Sequence, residues 1–315
     1  MVDQAPPLSA LWSGTEARAA WRRYWVRDTV SGLSDTAIHY GLRALPVGLC
    51  ARIGWRLGIW RGTRHPTWHT RALRNVRRLR PELDDAAVDR TVRQMWGHVG
   101  STMAEFSALP RIWDSDRVAV DGLENLEAAR ATGRPRIVAA LHLGNWEMVG
   151  PTMLALGENG FDVYQPPRNR FEQRIANYVR RRFADHLLAP GRATARLLYK
   201  ALAEDGRSVV LYVDEFQNRR VHAPFFGRPL RLDGNLARVA RLARMADAVI
   251  IPAYCLREEH GRFRVHILPP VRVGSEKDRS GLAQDVARLD AIITPIIRRH
   301  IEQWFMLHDL VLDDV

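Results

Sequence analysis

With 315 residues, 46% of them hydrophobic, the chain can bury a sizeable core, and disorder throughout is excluded. The 47 Lys and Arg against 35 Asp and Glu leave a formal charge of +12. That excess calls for acidic partners: phosphates, an anionic membrane surface or an acidic carrier protein. Only Lys200 and Lys277 among the basic residues are lysine, and arginine suits bidentate phosphate contact and interfacial burial better than lysine does. Nucleic acid is the usual alternative for so basic a chain. No helix-turn-helix, zinc-finger or base-stacking signature is present, and acidic residues are interspersed with the basic ones along periodic helices, which argues against it.

In chain order, Met1 to Gly14 lacks the basic end and apolar core of a signal peptide, and no stretch reaches the roughly 20 uninterrupted apolar residues of a membrane span. Thr15 to Tyr24 and Asp84 to Leu109 have helical periodicity, the second starting after Pro81. Between them, Ala37 to Trp60 is rich in Leu, Ile and Trp with arginines at intervals. Such a segment can lie in a membrane interface with its arginines snorkelling to phosphates, or fold as two buried amphipathic helices broken at Pro46. From Val118 onward the pattern changes. Val118 to Val120, Ile137 to Leu141, Asp162 to Gln165, Ser208 to Val213, Ala248 to Cys255 and Phe263 to Leu268 read as strands. Phe171 to Phe183, Ala193 to Ala203 and Leu236 to Met245 read as helices between them. The expected fold is therefore α/β: a central, mostly parallel or mixed sheet flanked by helices, with an N-terminal helical subdomain. Residues 1–115 form the helical, membrane-proximal part and 116–315 the α/β core, together one unit. Cys50 and Cys255 sit far apart in apolar contexts and read as buried free thiols, which fits a reducing compartment.

The chemistry concentrates at Leu141-His-Leu-Gly-Asn-Trp-Glu147. The apolar run Arg136 to Leu141 places His142 at the carboxyl end of a buried strand, the edge of an open α/β sheet where ligands bind. Gly144 allows a tight turn, and Asn145 is a candidate N-cap for a helix carrying Glu147 in its first turn. A carboxylate there can fix the tautomer of an imidazole and stabilise its protonated form, so the pair suits removal of a proton from a hydroxyl. Pro151 would kink that helix just after Glu147. The spacing alone also fits a structural histidine beside an ordinary helix start. A zinc site is disfavoured, because metal-binding helix pairs use i, i+4 spacing and no third ligand stands nearby.

The remaining motifs sharpen this reading. His142-Leu-Gly-Asn-Trp-Glu147 is followed, in order, by Tyr164-Gln-Pro-Pro-Arg-Asn169, Arg180-Arg-Arg-Phe183, a strand ending at Asp214, and His222-Ala-Pro-Phe-Phe-Gly227. Then come Gly234-Asn-Leu-Ala-Arg-Val-Ala240, Ala248-Val-Ile-Ile-Pro252 with Arg257, and Gln303-Trp304 with His308. Across roughly residues 40 to 310 this set resembles the bacterial lipid A biosynthesis acyltransferases, within the lysophospholipid acyltransferase superfamily. The resemblance implies direct acyl transfer from a thioester to a lipid hydroxyl in a ternary complex, with no cofactor and no metal. It implies His142 as general base, Glu147 orienting and supporting it, and substrate contacts from Gly144, Asn145, Arg168, Arg181, Asp214, Phe225, Phe226 and Gly227. Backbone N–H groups near Gly144 and Asn145, or a nearby arginine, would receive the thioester oxyanion. The implied donor is acyl carrier protein, with acyl-CoA as the alternative. The implied acceptor is an anionic lipid, either a lipid A precursor or a lysophospholipid or other glycolipid or aminolipid. The implied location is the cytoplasmic face of the inner membrane, peripheral or shallowly inserted.

Three departures from the family pattern stand out. Asp214-Glu215 replaces the common Asp-Gln, the hydrophobic segment Leu42 to Trp60 is interrupted by Arg43, Arg52 and Arg56, and the closing Gln303 to Asp309 lacks the Arg-Trp-Lys ending. A non-catalytic lipid binder on the same fold is the alternative class. It predicts that His142→Ala leaves lipid binding intact.

Overall fold

The computed structural model describes residues 5–158, 160–183, 186–217, 220–274 and 281–312. The first stretch is helical. Helix α1 (Thr15–Arg22) continues through a π-turn into α2 (Asp28–Ala44), and α3 (Val47–Thr63), α4 (Pro66–Leu79), α5 (Asp85–Glu105) and α6 (Leu109–Trp113) follow. The boundaries have local causes. Pro46 stands between α2 and α3, Pro66 opens α4 where its missing N–H costs nothing, and the Asp84 carboxylate caps α5 by accepting from Ala87 N at 2.7 Å.

The segment Ala37 to Trp60 thus divides at Pro46, and its second half is bound into the fold. A Cβ at Gly54 or Gly58 would lie 2.3 Å from Gly100 O or 2.1 Å from Trp96 O, so α3 and α5 touch backbone to backbone along a seam of small residues. Gly62 meets the Trp96 ring in the same way. Arg52, Arg56, Leu57 and Trp60 remain exposed on the outer side of α3. No helix among the described residues is long and apolar enough to cross a membrane.

From β1 (Val118–Asp121) the chain alternates. It runs α7 (Leu123–Ala131), β2 (Arg136–Ala140), α8 (Val149–Ala155), β3 (Gly160–Val163), α9 (Arg170–Arg180), β4 (His186–Leu188), α10 (Arg192–Ala203) and β5 (Ser208–Tyr212). A short hairpin, β6 (Phe216–Gln217) and β7 (Arg220–Val221), precedes α11 (Asn235–Ala246), β8 (Val249–Arg257), β9 (Phe263–Ile267), β10 (Val271–Arg272) and α12 (Leu282–Arg299). The main sheet has the order β1-β9-β8-β2-β5-β3-β4, with β10 pairing antiparallel to β8. It is mixed: β8 and β9 are antiparallel, while the other neighbours in that order are parallel.

Strand β2 lies between β8 and β5, covered on both faces, which is why its sequence from Ile137 onward is apolar without a break. Ile137, Ala139 and Leu141 pack into one core with residues of α11 and α12, including Leu236, Val239 and Ile293. Val138 and Ala140 face a second core with Leu126, Met148 and Met153 from the opposite layer. His142 emerges just past the end of this central strand.

The turn after β2 differs from the expected capped helix. Asn145 makes no cap bond; Trp146–Met148 form a 3-10 turn and α8 starts at Val149. Pro151 is then the third residue of α8, where an N–H has no intrahelical acceptor, so the expected kink after Glu147 does not arise. Helix α7, strand β4, the β6–β7 hairpin and β10 are elements that the sequence pattern did not disclose.

Candidate active site

Three hydrogen-bond donors converge on the wholly buried Asp214 carboxylate at the end of β5. His142 Nδ1 lies 2.8 Å from Oδ1, while His142 N and Trp304 Nε1 donate to Oδ2 at 2.9 and 2.8 Å. Because a carboxylate accepts, the proton of a neutral imidazole sits on Nδ1, and the Nε2 lone pair is left for the cavity that His142 lines. The ring is also gripped by aromatic neighbours. Tyr212 lies 4.3 Å away between centroids, Trp146 5.6 Å and Phe305 6.2 Å. Phe305 N donates to His142 O, and Tyr212 Oη donates to Trp146 O. The imidazole is therefore set on a rigid support.

Gly144 makes the turn possible. Its φ of +55° is in the left-handed region, and a Cβ there would meet Cys255 O at 2.6 Å and Arg257 N at 2.8 Å. Its N–H donates to Gln303 O, and its carbonyl accepts from Thr102 Oγ1 at 2.9 Å. That N–H is consequently engaged within the protein rather than aimed at an oxyanion. The neighbouring Cys255 thiol is fully buried, and burial pushes its pKa up to about 12.

Glu147 lines the same cavity, but its partner is Arg180 at the end of α9. The guanidinium spans the carboxylate with Nη2–Oε1 at 2.5 Å and Nε–Oε2 at 3.1 Å. Arg180 also lies 5.2 Å from the Tyr164 ring centroid and 5.5 Å from that of Phe106, so two aromatic rings help to hold it at the wall. The cavity has a volume of about 470 Å³. Ile38 and Leu42 of α2, Met103 of α5, Phe106 and Ile175 of α9 give it an apolar lining. Asp35 and Glu172 add an acidic edge, where burial, and then the neighbouring Asp35, raise the Glu172 pKa above the usual carboxylate range. A base, a cation and an apolar trough in one cavity suit a reaction that deprotonates a nucleophile, develops negative charge and holds a hydrocarbon.

A family profile described as bacterial lipid A biosynthesis acyltransferase matches residues 33–312. The chain belongs to that family. Among its relatives, a lipid A biosynthesis acyltransferase of Haemophilus influenzae is 22% identical over 264 residues, 82% of each chain. A lipid A biosynthesis palmitoleoyltransferase of Escherichia coli is 24% identical over 271 residues, 84% of this chain and 85% of its own. A phosphatidylinositol mannoside acyltransferase of Mycobacterium tuberculosis is 29% identical over 208 residues, 64% of this chain and 61% of its own. A solved 1-acyl-sn-glycerophosphate acyltransferase from Thermotoga maritima covers 75% of this chain and 98% of its own, at 13% identity and a TM-score of 0.32.

Within this acyltransferase, the residues singled out in the sequence fall into three groups. His142 and Glu147 line the cavity, and Asp214 stands directly behind the imidazole. In the structure the hydrogen bond to the imidazole comes from Asp214, while Glu147 pairs with Arg180. Gly144 and Asn145 are buried beneath the turn as supports. Arg168, Arg181 and Gly227 are exposed and do not line the cavity, and Phe225 and Phe226 are buried elsewhere. Phe226 packs edge-on against Trp304 at 5.7 Å, and Phe225 N donates to Asp290 Oδ1, so this stretch backs the indole that holds Asp214.

Arg180 is the cavity-lining residue that the sequence reading did not single out. The Arg180-Arg-Arg run signalled it, but only the phase of α9 shows that Arg180, rather than Arg181, turns inward. Some of the arginine excess is structural as well: buried Arg228 donates to the carbonyls of Phe225, Val221, Pro224 and Val311.

Proposed function

We propose that this acyltransferase moves a fatty acyl chain from the thioester of acyl carrier protein to a hydroxyl of a lipid A precursor or related membrane glycolipid. His142 acts as general base. The observation that carries the reading is the Asp214 carboxylate on His142 Nδ1, which leaves Nε2 as the proton acceptor in an apolar-lined cavity.

In this mechanism Nε2 takes the acceptor hydroxyl proton as its oxygen attacks the thioester carbonyl carbon. The charge that develops on the carbonyl oxygen is met by the Arg180 guanidinium, which Glu147 and two aromatic rings hold in place. The C–S bond then breaks, and the imidazolium returns its proton to the departing thiolate. Asp214 holds the imidazole in one tautomer and stabilises it while it is charged. Donor and acceptor bind together, so no serine or cysteine ester on the protein is required.

The donor follows from charge: a +12 chain favours an acidic carrier. The acceptor class follows from the lipid A and phosphatidylinositol mannoside relatives, both named for glycolipid substrates. Delivery would come from a membrane surface. Val26, Val30 and Leu33 form an exposed apolar stripe at helical spacing on the π-turn and α2, beside exposed Trp25 and exposed Arg22, Arg23 and Arg27. Ile38, exposed on the same helix, lines the cavity. That amphipathic face suits shallow insertion among anionic headgroups, with the acceptor passing laterally to His142.

Mass spectrometry of lipid A and phospholipids from cells making the wild type or His142→Ala at matched levels tests the proposal. A species heavier by one acyl group, present only with the wild type, supports it and identifies the acceptor. Identical profiles, together with no transfer by the purified protein from acyl carrier protein to lipid A precursors and mannosylated lipids, overturn it.

A further inference from the structure

Beneath the His142 turn lies an ion pair that touches neither the cavity base nor the cavity cation. Glu105, the last residue of α5, and Arg257, the last of β8, meet through both nitrogens: Nη1–Oε1 is 2.5 Å and Nη2–Oε2 2.7 Å. Their side chains are 1% and 9% exposed. Each partner also holds the turn. Asn145 Nδ2 donates to Glu105 Oε2 at 2.9 Å. Arg257 Nη2 donates to Thr102 Oγ1 at 3.2 Å, and that hydroxyl donates to Gly144 O at 2.9 Å. The Arg257 main chain is clasped by Gln303, with Arg257 N to Oε1 at 2.8 Å and Nε2 to Arg257 O at 3.2 Å. Gln303 O in turn accepts from Gly144 N at 3.0 Å. Every link ends on Gly144 or Asn145, two and three residues after the base.

Stability alone does not account for this arrangement. Taking both charges out of water costs several kcal/mol each, and a well-packed apolar pair of similar volume commonly does as well or better. What a buried, bidentate pair adds is a fixed direction for the groups hydrogen-bonded to it.

We propose that Glu105 and Arg257 are positioning residues for acyl transfer. They lock the Gly144–Asn145 turn so that His142 Nε2 and the Glu147–Arg180 pair face the reacting carbonyl together. The inference rests on the acyl-transfer reading for its kinetic test, but not for its structural one.

The decisive variant is the double replacement Glu105→Leu with Arg257→Met, which removes both charges and keeps apolar volume, beside Glu105→Gln and Arg257→Lys. If the pair positions the turn, the double variant melts no lower than the single ones. Its kcat per folded molecule, measured well below the melting temperature, nonetheless falls about 10- to 100-fold with KM within about threefold. If the pair is only glue between α5 and β8, the double variant regains wild-type kcat per folded molecule, and the proposal is overturned. The second readout needs no substrate. The downfield proton resonance of His142 Nδ1–H on Asp214, assigned by its loss in His142→Gln, should shift or broaden in the double variant. An unchanged resonance also overturns the proposal. A shifted resonance in a protein whose wild type transfers no acyl group would sink the acyl-transfer reading and leave the positioning role standing.

Discussion

Asp214 and Glu147 are carboxylates at one site held in opposite ways. Asp214 is sealed from solvent and accepts from an imidazole, a main-chain amide and an indole, three donors that fix it to the end of the sheet. Glu147 is 13% exposed at the cavity wall and spans a single guanidinium that is itself 22% exposed. The first arrangement sets a tautomer and tolerates no substitution of acceptor by donor. The second holds a cation at the cavity wall, and part of that cation's support comes from Tyr164 and Phe106. Burial and partner, rather than nearness to the histidine in the chain, assign the two roles.

Substitutions should separate these roles by size. His142→Ala removes the base and should lower kcat about 10³- to 10⁴-fold without unfolding the chain, read by purified acyl transfer and circular dichroism. Arg180→Gln withdraws the cation proposed to meet the oxyanion and should cost about 10²- to 10³-fold in kcat. Glu147→Gln should cost less, about tenfold, because the aromatic rings still hold Arg180. A Glu147→Gln loss equal to that of His142→Ala would break the distinction between the two carboxylates.

A third carboxylate lies next to Asp214. Burial pushes the Glu215 pKa up to about 8, although Asn235 N–H donates to Oε1. Its other oxygen is sealed without a partner. The folded chain then keeps a proton that the unfolded chain releases at the ordinary carboxylate pKa near 4.5. Stability should therefore fall as pH rises from about 4.5 to about 8 and level off above. Glu215→Gln keeps the Asn235 acceptor, removes the titration, and restores the Asp-Gln pattern of the family resemblance. Its advantage over the wild type should be absent at or below about pH 4.5 and reach on the order of 5 kcal/mol at pH 9, by chemical denaturation at each pH. Smallest is the surface effect. Replacing Val26, Val30 and Leu33 by serine should weaken sedimentation with anionic vesicles roughly tenfold, with the melting temperature little changed.

Much of this molecule is legible before its structure. The apolar run ending at Leu141 identifies the central strand, because a strand covered on both faces cannot alternate, and it places His142 at the sheet edge. Pro46 divides the Leu- and Trp-rich segment for the reason proline divides any helix. What escaped has physical causes too. The His142–Asp214 contact joins residues 72 apart in the chain, so no local spacing carries it. Glu147 lies five residues on and pairs instead with Arg180 at the end of α9, a helix that follows β3 in the chain. Strand β4, of three residues, is too short for periodicity to register. The Glu105–Arg257 pair looks, in sequence, like a helix-end charge and a strand-end charge, and only packing makes them one unit.

The central claim, that Asp214 rather than Glu147 governs a catalytic His142, is tested most directly by one comparison. Purified wild type, Asp214→Asn and Glu147→Gln would be assayed for acyl transfer from acyl carrier protein to a lipid A precursor. The amide oxygen of the asparagine would be taken by the two fixed donors, His142 N and Trp304 Nε1, so its NH2 would face Nδ1 and turn the imidazole toward the wrong tautomer. The account predicts a loss of about 10³- to 10⁴-fold in kcat for Asp214→Asn and about tenfold for Glu147→Gln. Asp214→Asn at wild-type rate, or Glu147→Gln as the more damaged of the two, would contradict it.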